Sequence, residues 1–410
     1  MANIVAMILA GGRVDDLGVL TFFRPKSVLP FGGLYRIIDF PMSNLVHSGI
    51  EKVGILSQYR PSRLIQHIAN GDPWDLTGRN RCAVILPPFK GRGASDWYKG
   101  TADAVYQNID FLSAHRPDLV LILSGDHIYS MDYRNLIRFH LEKKADLTIA
   151  CTRVNQEGAS RFGLAQVDDE EPRGGEVLQY VEKPREPKFE WASLTIYVFK
   201  ADLLIETLRA NAKKNSHEFG KDIVPVFLAN HRVYAFKHHG YWGYTRTPDE
   251  YWRASMDLLG SNPKVNLKEY RLRTNMAHRG IRDRCPSFVG SSASMEDSIF
   301  YSGCRIEGKV IRSILFPGVT VGKNSEVKDS ILLFDSTVGE GSVVCRTIAD
   351  VDTHLGKKTE VGEMEGKLSI IGRGTRLPHE IKIGGGVSVF PNLDEKAFTK
   401  RVYTQGDIVE

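Results

Sequence analysis

The sequence predicts an α/β domain of Rossmann-like type, built on a mostly parallel sheet, followed by a C-terminal left-handed parallel β-helix. Three observations carry this expectation. Through the first 260 residues, short apolar runs that end in Gly, Ser or Asp alternate with longer amphipathic stretches. Near residue 263 the texture turns polar and basic. From about Phe288 onward the helical patterns vanish, and single aliphatic residues recur every six positions among Gly and small polar residues.

In order along the chain, IVAMILAGG, KVGILSQ, LVLILSGD and DLTIACTRV read as buried strands, being short and rich in Val, Ile and Leu. The stretch TADAVYQNIDFLSAH between them has apolar residues at helical spacing. Strands that alternate with helices imply a sheet covered on both faces, with ligands at the carboxyl ends of its strands. This domain is expected over 1–262. SNPKVNLKEYRLRTNMAHRGIRDRCP then suits a linker, taken as 263–287. In 288–410 the hexad residues are Leu315, Val321, Val327 and Leu333, then Val338 and Val344 after a shift. On the hexapeptide pattern, about five coils of roughly 18 residues would fit. A generic all-β domain with frequent turns is the competing reading.

Composition narrows the function classes. Hydrophobic residues make up 42% and charged residues 25% of 410, which excludes collagen-like and disordered classes. The net charge of +5, from 54 basic against 49 acidic residues, is too diffuse for a nucleic-acid footprint. No apolar run approaches the roughly 18 to 20 residues that span a bilayer, so no membrane partner is expected. MANIVAMILAGG lacks a basic start, and no signal peptide is expected. The five cysteines, Cys82, Cys151, Cys285, Cys304 and Cys345, form no C-x-x-C pair; a reducing cytoplasm is expected, without a disulfide framework or structural zinc.

The Gly11–Gly12 pair after the first strand allows close backbone approach, as to a phosphate, though a plain tight turn reads equally well. The motifs further along the chain are more specific: RPKSVLPFGGLYRIIDFPMSNLVHSGI, SQYR, WYKGTADAVYQN, SGDHIY, VEKP and SHEFGKDIVP. Together these resemble the ADP-glucose pyrophosphorylase (glucose-1-phosphate adenylyltransferase) family of bacterial glycogen and plant starch synthesis, through nearly the whole chain. FGGxYRIIDFPxSN and WYKGTADAVYQN separate that family from guanylyl, uridylyl and thymidylyl relatives.

The resemblance implies a nucleotidyltransferase domain, in which glucose 1-phosphate attacks the α-phosphorus of ATP and releases pyrophosphate without a covalent enzyme intermediate. It implies Mg2+ on Asp126, which as a bare strand-end Asp would read as a helix N-cap. Lys26 matches a phosphate-facing lysine and, with Asp126, is the expected catalytic pair. Glu182, Lys183, Ser193, Tyr98 and Gly163 match the substrate side, and Leu9, Ala10, Gly11 and Gly12 the nucleotide side. Apart from the resemblance, Glu182–Lys183 would be an exposed turn and Ser193 a satisfied core hydroxyl. Gln58 and Trp97 fall where the family couples effector binding to catalysis; alone they would read as packing. Gln107 and Asn108 read as capping or packing their helix. A small-molecule allosteric effector and a homotetramer, or a heterotetramer with a related subunit, are likewise implied. Phe23, before Arg24, stands where some fructose-bisphosphate-activated members have lysine, so that activator is not expected.

The departures lie on the nucleotide side. The family's G-G-x-G-T-R-L becomes GGRVDDL, with Val14, Asp15 and Asp16 where Gly, Thr and Arg are expected. An acid within about 4 Å of a phosphate would be repelled by about 4 kcal/mol at an effective dielectric near 20. The family's second metal carboxylate, in YWRDVGT, is replaced by Tyr244 of GYWGYTRT, with Asp249 five residues on; the adenine-reading LPAQQ is ILPPFK. One expectation is therefore an adenylyltransferase, or one for another nucleotide, whose phosphate site is rebuilt with Asp15 or Asp16 on an extra metal. The alternative is an impaired paralogue that binds sugar phosphate or effectors and regulates an intact subunit. A third reading, acyl transfer by the coil through His354 or His379, suits a longer coil array than this one.

Overall fold

The computed structural model describes residues 2–12, 14–89, 97–156, 158–168, 171–277 and 281–410. The chain packs as two compact units, Met1–Gly12 with Phe40–Trp242, and Arg13–Asp39 with Gly243–Glu410. The units are thus not linear segments: 13–39 leaves the α/β body after Gly12 and packs with the C-terminal part of the chain.

The first unit holds a nine-stranded sheet: β1 (Ile4–Leu9), β2 (Lys52–Leu56), β3 (Cys82–Leu86), β4 (Leu119–Ser124), β5 (Leu147–Arg153), β6 (Gly163–Val167), β7 (Gly174–Glu182), β8 (Trp191–Lys200) and β9 (Val233–Lys237). The spatial order is β3-β2-β1-β4-β8-β5-β9-β7-β6. The expected parallel arrangement holds for β3, β2, β1 and β4 and for the β5–β9 pair, whereas β8 runs antiparallel to both β4 and β5. Burial on both faces explains the unbroken apolar runs: every residue of LVLILS in β4 is buried. Val5, Met7, Val120, Ile122, Tyr197 and Phe199 form the core with Ala102, Val105 and Leu112 from the covering helices. The single amphipathic stretch expected over TADAVYQNIDFLSAH is two helices, Thr101–Gln107 and Ile109–His115, broken at Asn108. The Asn108 amide donates to the Ala104 carbonyl at 2.8 Å and to the Tyr98 hydroxyl at 2.9 Å, and Gln107 donates to Asp103 at 2.8 Å, so both cap and pack as expected.

The second unit is built on the left-handed β-helix. Its three parallel sheets contain five, seven and seven strands, more coils than the five expected. The central coils, between Lys309 and Val361, also close in 17 residues rather than 18. Ser313, Ser330 and Thr347 lie 17 apart, and each hydroxyl of the first two accepts the amide of the next at 3.1 Å. Two sides carry the six-residue step and the third a five-residue step. Hence Leu332, not Leu333, stacks between Leu315 and Ala349 in the coil interior. The corners need left-handed backbone, which L-residues adopt only at a cost except for Asn and Asp. Asp297, Asp329, Asp335 and Asp352 fill such corners with positive φ, alongside Gly318 and Gly374.

The segment 13–39 is fastened to this unit by buried polar contacts. Arg24 and Asp350 pair at 2.6 Å with side chains 8% and 3% exposed, and the Tyr301 and Tyr251 hydroxyls donate to the Gly32 and Pro30 carbonyls. The segment expected as a linker contains a short helix, Leu267–Tyr270, capped by Asn266. Of the acyl-transfer candidates, His379 accepts the Lys357 amide at 2.7 Å and His354 lies 3.5 Å from Asp352, both serving the coil itself.

Candidate functional site

In the first unit β1, β2 and β4 end side by side at Leu9, Leu56 and Ser124. The Ala10 amide donates to the Leu56 carbonyl and the Gly125 amide to the Leu9 carbonyl, each at 2.9 Å. Leu9, Ala10, Gly11, Gly12 and Asp126 thereby lie at the ends of neighbouring strands. The two glycines do different things. A Cβ on Gly11 would lie 2.4 Å from the Gln58 amide nitrogen, so this position is closed by backbone packing. A Cβ on Gly12 would meet nothing within 4 Å among the described residues.

The Asp126 side chain is 28% exposed. Ser124 donates its hydroxyl to Asp126 Oδ1, and His127 Nε2 lies 3.4 Å from the same oxygen. Trp242 meets the His127 ring edge-on at 5.4 Å and holds it in place. Among the described residues no group of three or more His, Cys, Asp or Glu side chains could hold a metal by itself. Magnesium that travels with a phosphate needs only one or two protein carboxylates; Asp126, a hard oxygen donor at the strand end, fits that demand.

Gln58 and Trp97 converge. Gln58 Oε1 accepts the backbone amide of Tyr98, the residue after Trp97, whose own ring is exposed. Tyr98 donates its hydroxyl to the Leu86 carbonyl at 2.9 Å. Burial pushes its phenol up to about 12 against the opposing Asn108 hydrogen bond. The motifs WYKGTAD and SHEFGKD also meet: Ala102 donates to the His217 carbonyl at 2.8 Å, and Thr101 Oγ1 to Glu218 at 2.6 Å.

Of the expected substrate-side residues, Glu182, Lys183, Ser193 and Gly163 lie where β6, β7 and β8 adjoin, whereas the contacts of Tyr98 are with Gln58, Leu86 and Asn108. Glu182 pairs across the sheet with Gly163, and Ala192, next to Ser193, pairs with Leu164. A Cβ on Gly163 would fall 1.9 Å from the Tyr180 hydroxyl and 2.6 Å from Glu182 Oε2, which explains the glycine. Tyr180 donates to Glu182 at 2.9 Å and Ser193 to the Tyr197 hydroxyl at 3.2 Å; burial pushes both phenols up. Lys183 lies 3.6 Å from Glu182 with its side chain 57% exposed and its backbone at φ +47°. β8 bulges between Ser193 and Tyr197, and Thr195 sits inside the bulge at φ +56°, a strained conformation for a β-branched residue. Tyr180, Tyr197 and Thr195 were not among the expected site residues; the bulge has no sequence signature.

The second unit holds the remaining candidates. Val14 is extended and precedes a short turn over Asp15–Thr21 that begins with the two acids. Asp16 is paired with a cation: Arg246 Nε donates to its Oδ2 at 2.5 Å, with side chains 43% and 50% exposed. Hydrogen bonds from Asp16 and then Tyr244 hold the Arg246 guanidinium above its ordinary pKa. So exposed a pair contributes at most about 1 kcal/mol to stability; what it fixes is the direction of the guanidinium. Lys26 is buried, with Nζ 5.1 Å from the centre of the Tyr244 ring. Asp249 is a first-turn acid of the helix Pro248–Met256 and lies 3.7 Å from Arg346, engaged as a structural charge. Phe23 lies edge-on to Phe22 at 5.3 Å. The sequence did not single out Arg246, although an acid in place of an expected arginine at 16 and a new basic residue two after Tyr244 form a readable pair.

Comparison with known proteins defines the class first. The nucleotidyl transferase family matches residues 5–261, and the family described as GlmU-like, C-terminal hexapeptide, matches 287–368. The chain is similar to the glucose-1-phosphate adenylyltransferase of Thermotoga neapolitana, 40% identical over all of this chain and 99% of that protein. It is likewise similar to that of Desulforamulus reducens, 41% identical over 87% of this chain and 89% of that one. A third such enzyme, from Clostridium botulinum, is 44% identical over 80% and 84%. The chain belongs to the glucose-1-phosphate adenylyltransferase family. Nothing in the geometry or the relatives favours an impaired paralogue, and among the described residues no helix is long and apolar enough to cross a membrane.

Proposed function

We propose that this chain catalyses adenylyl transfer from ATP to glucose 1-phosphate, forming ADP-glucose and pyrophosphate for α-glucan synthesis. The observation that carries this reading is that Leu9 and Ser124, the strand ends that lead into Gly11–Gly12 and Asp126, pair side by side in a chain whose relatives of matching length are named for that reaction. A phosphate oxygen of glucose 1-phosphate attacks the α-phosphorus, a new P–O bond forms, and the bond to the β-phosphate oxygen breaks. The electron pair leaves with pyrophosphate. Such a transfer needs positioning and positive charge more than covalent help.

Leu9–Gly12 bring backbone close to the nucleotide, with Gly12 bare so that a phosphate can approach. Lys26 contributes a phosphate-facing cation. Asp126 would hold Mg2+, which supplies charge neutralisation on the phosphates; Ser124 and His127 fix the carboxylate that does so. Glu182 and Ser193 accept and donate to glucose hydroxyls, Lys183 meets the sugar phosphate, and Tyr98 and Gly163 shape that side. Gln58, gripping the Tyr98 amide beside Trp97, suits a lever between an allosteric effector and the strand ends. A cytoplasmic tetramer, with 1–262 as the catalytic domain and 288–410 as the regulatory and assembly domain joined through 263–287, completes the reading.

The test is pyrophosphate release from glucose 1-phosphate with ATP, GTP, UTP, CTP and dTTP in turn, each with magnesium and with manganese. Fastest release with ATP is expected. No release with any pair, while glucose 1-phosphate still binds, would sink the reading.

A further inference from the structure

We infer that Tyr180 is a positioning residue for the sugar side: its hydroxyl grips one oxygen of Glu182 and so turns the other towards the hydroxyls of glucose 1-phosphate, which makes it a determinant of hexose specificity. The inference rests on the adenylyl-transfer reading, in which Glu182 meets the glucose, and adds a residue that acts on the substrate only through that carboxylate. Every group involved belongs to the first unit. Tyr180 and Glu182 stand two apart on β7, so strand alternation sets both side chains on one face. Opposite them on β6 stand Ala165 and Gly163, small residues that leave room for a ring and a carboxylate. The Tyr180 ring packs against the core of the unit, and its hydroxyl donates to Glu182 Oε2 at 2.9 Å.

Two glycines from different elements close on this hydrogen bond. A Cβ at Gly163 would lie 1.9 Å from the hydroxyl and 2.6 Å from Oε2. At Gly220, in the turn Phe219–Ile223, it would lie 2.0 Å from Oε2 and 3.0 Å from the hydroxyl. Oε2 is thus enclosed, and Oε1, 3.6 Å from Lys183 Nζ, is the oxygen left for a ligand. Burial, then Tyr197 and Glu182, push the Tyr180 phenol well above its ordinary value, so it keeps its proton and donates to the carboxylate. Such a bond to an ionised acceptor is strong and directional. The Tyr197 hydroxyl engages Tyr180 and accepts from Ser193 at 3.2 Å, so Glu182 and Ser193 are joined through two tyrosines. A carboxylate oxygen held in one direction accepts from a hydroxyl at one place on the sugar ring. An epimer with that hydroxyl turned away leaves the oxygen unpaired.

The experiment measures glucose 1-phosphate binding to the full-length protein by calorimetry, beside the steady-state KM for ATP and for the 1-phosphates of glucose, galactose and mannose. The variants are Tyr180→Phe, Glu182→Gln and the two together, each measured well below its melting transition. Tyr180→Phe is expected to weaken glucose 1-phosphate binding roughly 10-fold and to raise its KM alike. The ATP KM should stay in place, and the preference for glucose over its epimers should narrow, which a purely structural hydroxyl would not bring about. The double variant should bind no more weakly than Glu182→Gln alone, because a tyrosine that acts through the carboxylate has nothing left to aim. Glucose 1-phosphate affinity unchanged in Tyr180→Phe, an ATP KM that rises in step, losses that simply add in the double variant, or wild-type protein that binds no glucose 1-phosphate would each overturn the inference. If turnover is absent but glucose 1-phosphate binding still depends on Tyr180, adenylyl transfer fails and the positioning role stands. If turnover is present and binding is indifferent to Tyr180, the reverse holds.

Discussion

Asp126 of the first unit and Asp16 of the second are both partly open carboxylates, 28% and 50% exposed, kept in opposite company. Asp126 leans on the Ser124 hydroxyl and the edge of His127. Asp16 is closed on an arginine, and its charge goes into aiming that arginine. A third acid, Asp350, is closed on Arg24 and buried; its work is to fasten the segment 13–39. In the proposed function the first of these acids would hold the metal, while the second fixes an arginine and the third fastens a segment, and the neighbour distinguishes them.

The largest effect should come from the acid proposed to hold the metal. Asp126→Asn keeps size and hydrogen bonding but removes the charge, and turnover should fall on the order of 10³-fold with little change in unfolding. Comparable activity in the variant would remove Asp126 from the chemistry. The fastening acid comes next. Asp350→Ala leaves a buried arginine unpaired, and the cost should be about 3–5 kcal/mol in denaturant unfolding. A loss below about 1 kcal/mol would place the pair among ordinary surface bridges.

A third comparison uses a buried base in the first unit. His140 sits 2.8 Å from Thr148 Oγ1, and burial, then Lys200, push its pKa down to about 4. Its contribution is fully present above the unfolded value of about 6.5 and falls as pH drops towards 4, because the unfolded chain takes up the proton first. The expected loss is about 2 kcal/mol at pH 5 and on the order of 3 kcal/mol below pH 4, seen as a lower unfolding midpoint at pH 5 than at pH 7.5 and flattened in His140→Phe. An identical midpoint at both pH values would contradict it. The smallest effect concerns the strained bulge: Thr195→Gly should stabilise by about 1 kcal/mol by relieving the left-handed strain, whereas destabilisation would mean that the threonine side chain is held there by its contacts.

Much of this was legible in the sequence. The strand ends at Leu9 and Ser124 and the coil with its aliphatic positions at Val321, Val327, Val338 and Val344 follow from burial and period, whereas Gly11, Gly12 and Asp126 stand out as site residues only through the family resemblance. The misplacement of Leu333 for Leu332 shows the limit: both are apolar, and only closure of the coil in 17 residues decides which points inward. The Glu182 side is readable without Tyr180 and Tyr197, whose hydroxyls matter only once three strands bring them together. The acids at 15 and 16 read as repulsive because sequence proximity shows no partner 230 residues away.

The most direct measurement follows the phosphorus. Glucose 1-phosphate, ATP and Mg2+ incubated with the wild-type protein and monitored by 31P NMR should show the paired resonances of ADP-glucose growing in step with pyrophosphate, and the Asp126→Asn protein should show neither. Hydrolysis of ATP without ADP-glucose, or unchanged substrates with the wild-type protein, would contradict the account.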